Sequence, residues 1–239
     1  MKILLLGKNL DDIRPLLSEY GLEEDPNDFS LIITHGGDGA LLGAERDYPG
    51  ILKFPIRDQA TAPTCPLHNI HTRLKQLVEE DCCLSTLPKI SGKINDTEVL
   101  GINEVFLHNH KRECAIRYSV YIDDKLYVNE IIGDGVGVAT VLGSTGYFHS
   151  ITHSIFKVGM GLAFSNTTFP VTNIVLNEDS KVSIKILRGP AVLVADNSPI
   201  QPIVEAGSIV QLEKSKSTAQ IINLDDFMCP ECRKLRHQK

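Results

Sequence analysis

The feature that most constrains this chain is a change of hydrophobic period near Leu84. Before it, apolar runs alternate with helical stripes. KILLL (residues 2–6) and FSLIIT (29–34) read as buried strands, and residues 51–54 as a third. Residues 10–20 read as a short helix stopped near Gly21, and residues 40–46 as a helix start. Ile70, Leu74, Leu77 and Val78 make one helical stripe. Strands alternating with helices predict a mainly parallel, layered α/β unit. After Leu84 most segments alternate with period two: RYSVYI, KVSIKI, AVLVA, SIVQLE and TAQIIN. They are separated by turn signals at Asn95-Asp96, Asp123-Asp124, Arg188-Gly189-Pro190 and Ala206-Gly207. That pattern predicts a β-rich, sandwich-like domain. One helix interrupts it, STGYFHSITHSIFKVG, with Tyr147, Ile151, Ile155 and Val158 on one face, Ser144 or Thr145 as cap and Gly159 as its end. The expected division is an α/β domain over 1–84, a β-rich domain over 85–224 and a C-terminal tail over 225–239. Two domains meeting along a line leave a cleft, a common place for a ligand.

Composition narrows the partners. A net charge of -6 argues against a general nucleic-acid binder, which normally shows a basic face. No apolar run approaches the roughly 20 residues of a membrane-spanning helix. The opening MKILLLGKNLDDIRPLL reads as a first strand and helix and not as a signal peptide, so the expected setting is cytoplasmic. The six cysteines are irregularly spaced and make no disulfide framework. Cys229-Pro-Glu-Cys232 is a single CxxC in a polar, basic tail. It suits half of a zinc site or a redox pair, but without a second pair at metal-ligand spacing the preferred reading is two free thiols, and no metal-ligating residue is assigned. His149 and His153 are spaced i, i+4 but have no HExxH glutamate. His68 with His71, and His108 with His110, read as surface or packing residues.

The chemistry concentrates in three glycine-rich places. In FSLIITHGGDGALLGAE (29–45) a strand turns through His35-Gly36-Gly37-Asp38-Gly39 into a helix. Backbone N–H groups at a helix N-terminus suit anionic phosphate, and glycine lets it approach closely. The pattern is neither a Lys-Ser/Thr phosphate loop nor a GxGxxG fingerprint. An aspartate inside a phosphate cradle repels phosphate, so it needs its own reason. General-base work on an attacking hydroxyl, magnesium binding and a plain turn or cap role all fit Asp38 on residue type alone. Asn103-Glu104 sets an amide beside a carboxylate before an apolar run. Such a pair holds sugar hydroxyls, and it is equally an ordinary strand edge. The third place is GDGVGVATVLGSTGY (133–147), where an Asp-Gly precedes a strand and a Gly-Ser-Thr-Gly turn feeds a helix. Thr145 and the first N–H groups can donate to a ligand, Gly146 lets it come near, and the Tyr147 ring can stack on a flat base.

These motifs resemble those of the NAD kinases. GGDGALLGAER resembles the family's glycine-aspartate motif and helix, INEVFLHN its Asn-Glu motif, and GDGVGVATVLGSTGYFHS its long Asp-Gly/Gly-Ser-Thr/Tyr motif. VADNSPI resembles a later Asp-Gly segment. GGDG also occurs in phosphofructokinases and lipid kinases, so the GSTGY helix and the Asn-Glu pair discriminate. The resemblance implies an α/β domain and a β-sandwich-like domain with the active site between them, in a homodimer or homotetramer. It implies transfer of the ATP γ-phosphoryl group to the 2′-hydroxyl of the adenosine ribose of NAD, with Mg²⁺ or another divalent cation accompanying ATP. Carried over by position, Asp38 is the base or orienter, and Gly37 and Gly39 face phosphates. Asn103 and Glu104 hold NAD, Thr145, Gly146, Tyr147 and Ser150 line its pocket, and Asp134 meets the nicotinamide end.

The chain departs from the family pattern in four places. Ala40 replaces a small hydroxyl residue, Val141-Leu142 replaces Pro-Thr, and Asp196-Asn197 replaces Asp-Gly. The glycine-rich segment usual after GGDG is not recognisable in ILKFPIRDQATAP. The alternatives to an NAD kinase are a GGDG kinase with a lipid or sugar acceptor, and a silent nucleotide-binding regulator.

Overall fold

The apolar runs before Leu84 pair as parallel strands. In the computed structural model, which describes residues 1–79 and 82–237, the first of two units comprises Met1–Leu87 together with the chain from Ala219 onward. Its strands are β1 (Lys2–Gly7), β2 (Glu23–Glu24), β3 (Leu31–His35) and β4 (Leu52–Ile56), in the order β2-β1-β3-β4. The end of a late strand joins β4 in parallel, with Ile221 opposite Lys53. Successive side chains point to opposite faces, and both faces are covered. Ile3, Leu5, Ile33, Phe54 and Ile56 pack with Leu17, Leu74 and Leu77 on one side, while Leu4 and Ile32 pack with Ala44 on the other. Full burial of such a side chain contributes about 1.5–3 kcal/mol. The helices are α1 (Asp38–Asp47) and α2 (Ile70–Val78). Asn69 caps α2, its side chain accepting the Thr72 N–H at 2.9 Å. Residues 10–20, expected as one helix, form two 3₁₀ segments, Leu10–Asp12 and Arg14–Tyr20. The second stops at Gly21 in the left-handed region.

Parallel pairing brings the strand ends to one edge. Gly7 lies opposite His35, and His35 opposite Ile56, so the segments after β1, β3 and β4 emerge side by side. The approach is close. Gly7 has φ +140°, and a Cβ there would stand 1.9 Å from the His35 carbonyl oxygen. Lys8 N–H donates to that same oxygen at 3.0 Å, and Gly36 N–H donates to the Ile56 carbonyl at 2.9 Å.

The second unit, Pro88–Thr218, is built from two antiparallel sheets. Chain order gives β5 (Leu84–Ile94), β6 (Thr97–Gly101), β7 (Glu104–Asn109), β8 (Ile116–Ile122), β9 (Lys125–Gly133) and β10 (Gly135–Ala139). Then follow α3 (Tyr147–Thr152), β11 (Met160–Ser165), β12 (Ile174–Leu176), β13 (Val182–Arg188), β14 (Ala191–Ala195), β15 (Ile203–Val204) and β16 (Ile209–Ile222). One sheet has the order β12-β11-β10-β7-β14-β15; the other contains β16-β13-β8-β9 with β5 and β6. Val105, Leu107, Val136, Val138 and Leu193 of the first meet Ile90, Tyr118, Val120, Ile184 and Leu212 of the second in one core. The expected turns form at Asn95 and at Asp123-Asp124, both with positive φ.

Three expectations are corrected. SIVQLE and TAQIIN are not two strands but one, the 14-residue β16, because KSKS continues the in-out alternation without a turn residue. The helix after Gly146 is only Tyr147–Thr152. His153 turns left-handed at φ +55°, and Ile155 and Val158 are exposed, so the apolar stripe assigned to them does not form. The chain beyond Ala219 is no separate tail: it folds into the first unit as α4 (Leu224–Phe227) and α5 (Pro230–His237), with Leu224, Phe227, Cys229 and Cys232 buried.

Replacing Gly7 by alanine is expected to lower stability by about 2–3 kcal/mol, since the methyl group has no space and the backbone angle suits glycine alone. Urea unfolding of Gly7→Ala beside wild type measures it, and equal midpoints would refute the close approach.

Candidate active site

In the first unit the aspartate of GGDG sits at the edge where the strands end. Gly37 is the N-cap of α1, Asp38 its first residue, and Gly37, Asp38 and Gly39 are all exposed. Asp38 Oδ1 lies 2.9 Å from Arg57 Nη2, with the Asp38 side chain 61% exposed and that of Arg57 6%. Arg57 follows β4 directly. Its guanidinium stacks 3.6 Å above the Phe227 ring, and its Nε donates to the Phe227 carbonyl at 3.2 Å. The cation is thus held from behind and turned toward the aspartate. Beside it, buried Asp58 accepts hydrogen bonds from Asn9 Nδ2 at 2.8 Å, Ala60 N–H at 2.9 Å and Thr61 Oγ1 at 3.0 Å. Burial pushes its carboxyl up, but these bonds and nearby His35 hold it below the ordinary carboxylate range. Arg57, Asp58 and Asn9 escaped the sequence reading. Their signal was positional: each falls within two residues of a strand's carboxyl end.

In the second unit the Asn-Glu pair and the Gly-Ser-Thr-Gly turn come together. Asp196 arranges the pair. Its carboxylate accepts from Ile102 N–H at 2.7 Å, Asn103 N–H at 2.9 Å and Glu104 N–H at 3.0 Å. Thr140 ties the other side, its N–H donating to the Asn103 carbonyl at 2.7 Å and its Oγ1 to the Ile102 carbonyl at 2.6 Å. The turn Gly143–Thr145 lies directly against this segment: a Cβ at Gly143 would stand 2.1 Å from the Asn103 oxygen. A Cβ at Gly146 would stand 3.7 Å from Glu104 Oε2 and 4.0 Å from Asn103 Nδ2. Asn103, Glu104, Thr145 and Gly146 are therefore neighbours, though far apart in sequence.

Tyr147 extends the site along the sheet. Its ring meets Phe106 edge-on at 5.0 Å and His108 at 5.4 Å, and its hydroxyl donates to Ser165 Oγ at 3.3 Å. Asp134 lies at that end: its Oδ2 accepts from Asn166 Nδ2 at 2.9 Å. Burial lowers the His108 imidazole, and the charge of Asp134 partly restores it. The helix start is not capped by Ser144 or Thr145. Ser144 Oγ donates to the Val141 and Phe156 carbonyls at 2.7 and 3.1 Å, and Thr145 Oγ1 to the Leu142 carbonyl at 3.4 Å. Ser150 is exposed, with its hydroxyl donating to the Tyr147 carbonyl at 2.7 Å.

Glu104 is the unusual group. Its Oε2 is buried and has no hydrogen-bond partner among the described residues. Burial first, and the charge of Asp196 second, push its carboxyl up from an ordinary value of 4.5 to about 8. Asp196 is raised as well, by burial, but its three N–H bonds oppose the rise. Of two buried carboxyls, the one without donors keeps the proton, so Glu104 is the protonated member at neutral pH. A buried, unsatisfied acid with a raised titration is a candidate functional group. It also has a stability consequence. Above pH 4.5 the unfolded chain releases this proton while the folded chain retains it to about pH 8. Stability therefore falls as pH rises through that window, by up to about 1.4 kcal/mol per pH unit. Urea unfolding at several pH values is expected to show this slope in wild type and its loss in Glu104→Gln; equal slopes would refute the raised acid.

The ATP-NAD kinase C-terminal domain model matches residues 102–224, which include the Asn-Glu pair, the GSTGY turn and Asp196. An NAD kinase of Clostridium kluyveri is 27% identical over 92% of this chain and 83% of its own length. NAD kinase 2 of Oceanobacillus iheyensis is 27% identical over 74% of this chain and 72% of its own length. Among solved structures, an NAD kinase from Archaeoglobus fulgidus in complex with ATP superimposes with a TM-score of 0.79 at 23% identity, covering 98% of this chain and 99% of that one. A yeast NADH kinase complexed with NADH gives 0.76 at 15%, covering 95% and 85%. With more than half of its residues inside the matched domain and relatives of that name along most of its length, this chain belongs to the NAD kinase family.

Proposed function

We infer that this chain is an NAD kinase, transferring the γ-phosphoryl group of ATP to the 2′-hydroxyl of the adenosine ribose of NAD to give NADP. The observation that carries the reading is the Asn103-Glu104 pair, fixed by Asp196 and pressed against the Gly143–Gly146 turn, inside the matched family segment. Asn103 offers an amide and protonated Glu104 an O–H and a free acceptor, a set suited to ribose hydroxyls. Gly146 borders the same place with Thr145 beside it, the Tyr147 ring supplies a flat apolar surface, and Ser150, bonded to the Tyr147 carbonyl, is assigned to the same pocket. Asp134 takes the nicotinamide end.

Phosphoryl transfer asks a protein mainly to position reactants and offset charge. Positioning alone supplies about 7–11 kcal/mol of a barrier. The new bond joins the ribose 2′-oxygen to the γ-phosphorus as the bond to the bridging oxygen of ADP breaks. The hydroxyl proton goes to Asp38. A ribose hydroxyl is far too weak an acid to give up its proton to a carboxylate in the ground state, so that transfer follows bond formation and does not precede it. Arg57 holds one Asp38 oxygen and leaves the other for the hydroxyl. Gly37 and Gly39 let the phosphates approach the start of α1. Mg²⁺ enters with ATP as part of that substrate. The enzyme works as a homo-oligomer in the cytoplasm; six thiols outside any disulfide suit a reducing compartment. Among the described residues no helix is long and apolar enough to cross a membrane.

Incubation with ATP, Mg²⁺ and NAD, followed by an NADP-specific dehydrogenase, is expected to register NADP. Asp38→Asn is expected to lower kcat by about 10²- to 10⁴-fold with an unchanged unfolding midpoint. Thermal stabilisation by NAD without turnover would overturn the reading in favour of a silent regulator.

A further inference from the structure

The CxxC of the C-terminal segment does not stand alone. Folding brings Cys229 and Cys232 to Cys65 and His68, themselves a Cys-Pro-Leu-His spacing, and the four ligand atoms all lie within 4.8 Å of one another. We propose that Cys65, His68, Cys229 and Cys232 form a structural zinc site that clips the end of the chain onto the loop before α2.

Three of the ligand separations match those of a tetrahedron around one ion, and Cys229 Sγ lies within 4.8 Å of the other three ligand atoms. Zinc–sulfur bonds of about 2.3 Å and zinc–nitrogen bonds of about 2.0–2.1 Å place tetrahedral sulfurs about 3.8 Å apart, and sulfur and nitrogen about 3.5 Å apart. Here Cys232 Sγ is 3.6 Å from Cys65 Sγ, and His68 Nδ1 is 3.2 Å from Cys65 Sγ and 3.5 Å from Cys232 Sγ. Three thiolates and an imidazole are a soft set that selects zinc over magnesium or calcium. Four protein ligands close the site, which makes it structural. The surroundings fit as well. His68 turns Nδ1 to the sulfurs and Nε2 to Asp226, 3.4 Å from Oδ1, an arrangement that directs the Nδ1 lone pair at a metal. Arg73 pairs with the same Asp226. Cys65 N–H donates to Cys232 Sγ at 3.3 Å, and the Glu231 and Cys232 N–H groups face the Cys229 sulfur, as bound thiolates require.

The clip reaches the catalytic edge. Between Asp226 and Cys229 lies Phe227, whose ring and carbonyl hold Arg57, which in turn holds Asp38. Zinc is thus a positioning element for Asp38; this kinetic part rests on the NAD kinase reading, whereas the metal site does not.

The test is metal content. Wild type, reconstituted with Zn²⁺ under reducing conditions and desalted, is expected to hold about one zinc per chain by plasma mass spectrometry. The double variant Cys229→Ser, Cys232→Ser is expected to hold less than about a tenth of that, and His68→Cys, which rebuilds a four-thiolate site, to keep it. Co²⁺ in place of zinc is expected to give the intense visible bands of tetrahedral thiolate coordination, a readout on wild type that stands if a variant fails to fold. Folded wild type without bound zinc, full zinc content in Cys65→Ser and Cys232→Ser, or an octahedral cobalt spectrum would each overturn the site. Zinc present with no NADP formed would leave the site standing and strike only the kinetic link.

Discussion

The three backbone bonds to Asp196 are the interaction on which the arrangement of the Asn-Glu pair depends. A carboxylate drawn out of water is costly unless hydrogen bonds replace the lost hydration. Here three successive N–H groups, those of Ile102, Asn103 and Glu104, do so. The same bonds fix the backbone of the bend between β6 and β7 and so aim both side chains of the Asn-Glu pair. Burial raises the Glu104 acid, and the negative charge behind it adds to the rise. One group thereby settles the shape and the direction of its neighbour and reinforces the effect of burial on its acid.

The edge of the parallel sheet follows a different rule. Its aspartate is exposed and its arginine buried, so the cation is the expensive partner. Stacking on Phe227 and the bond to the Phe227 carbonyl offset that cost, while Nη2 meets Asp38. A buried arginine held by Phe227 is a mount for the exposed acid. The fold makes the mount possible by returning the chain, after a whole second domain, to the unit in which it began. Phe227, which the sequence placed in a polar tail, is therefore part of the support of the proposed catalytic group.

Each unit also shows where glycine is a matter of space more than of flexibility. At Gly7 two strand ends nearly touch, and at Gly143 a turn lies on the Asn103 carbonyl. Both crossings bring segments distant in sequence to the same few ångströms, and both lie beside residues to which a function is assigned.

The sequence by itself determined the two fold classes, because hydrophobic period reports directly which face of an element is buried. It also marked Asp38, Asn103, Glu104, Thr145, Gly146 and Tyr147, since glycine beside a polar side chain is a local signal of a turn built for a ligand. It overreached at Ile155 and Val158, where apolar spacing suited a helix but left-handed His153 ended it first. Only the tertiary structure decided that Arg57, not some other cation, faces Asp38, and that Asp196 organises the Asn-Glu pair. It alone joined Cys65 and His68 to Cys229 and Cys232: His68 stood with His71 in the sequence, and the CxxC had no visible partner. The reason is physical. Period and turn chemistry act over a few residues, whereas a burial-dependent charge or a four-ligand cluster exists only once the chain has closed on itself.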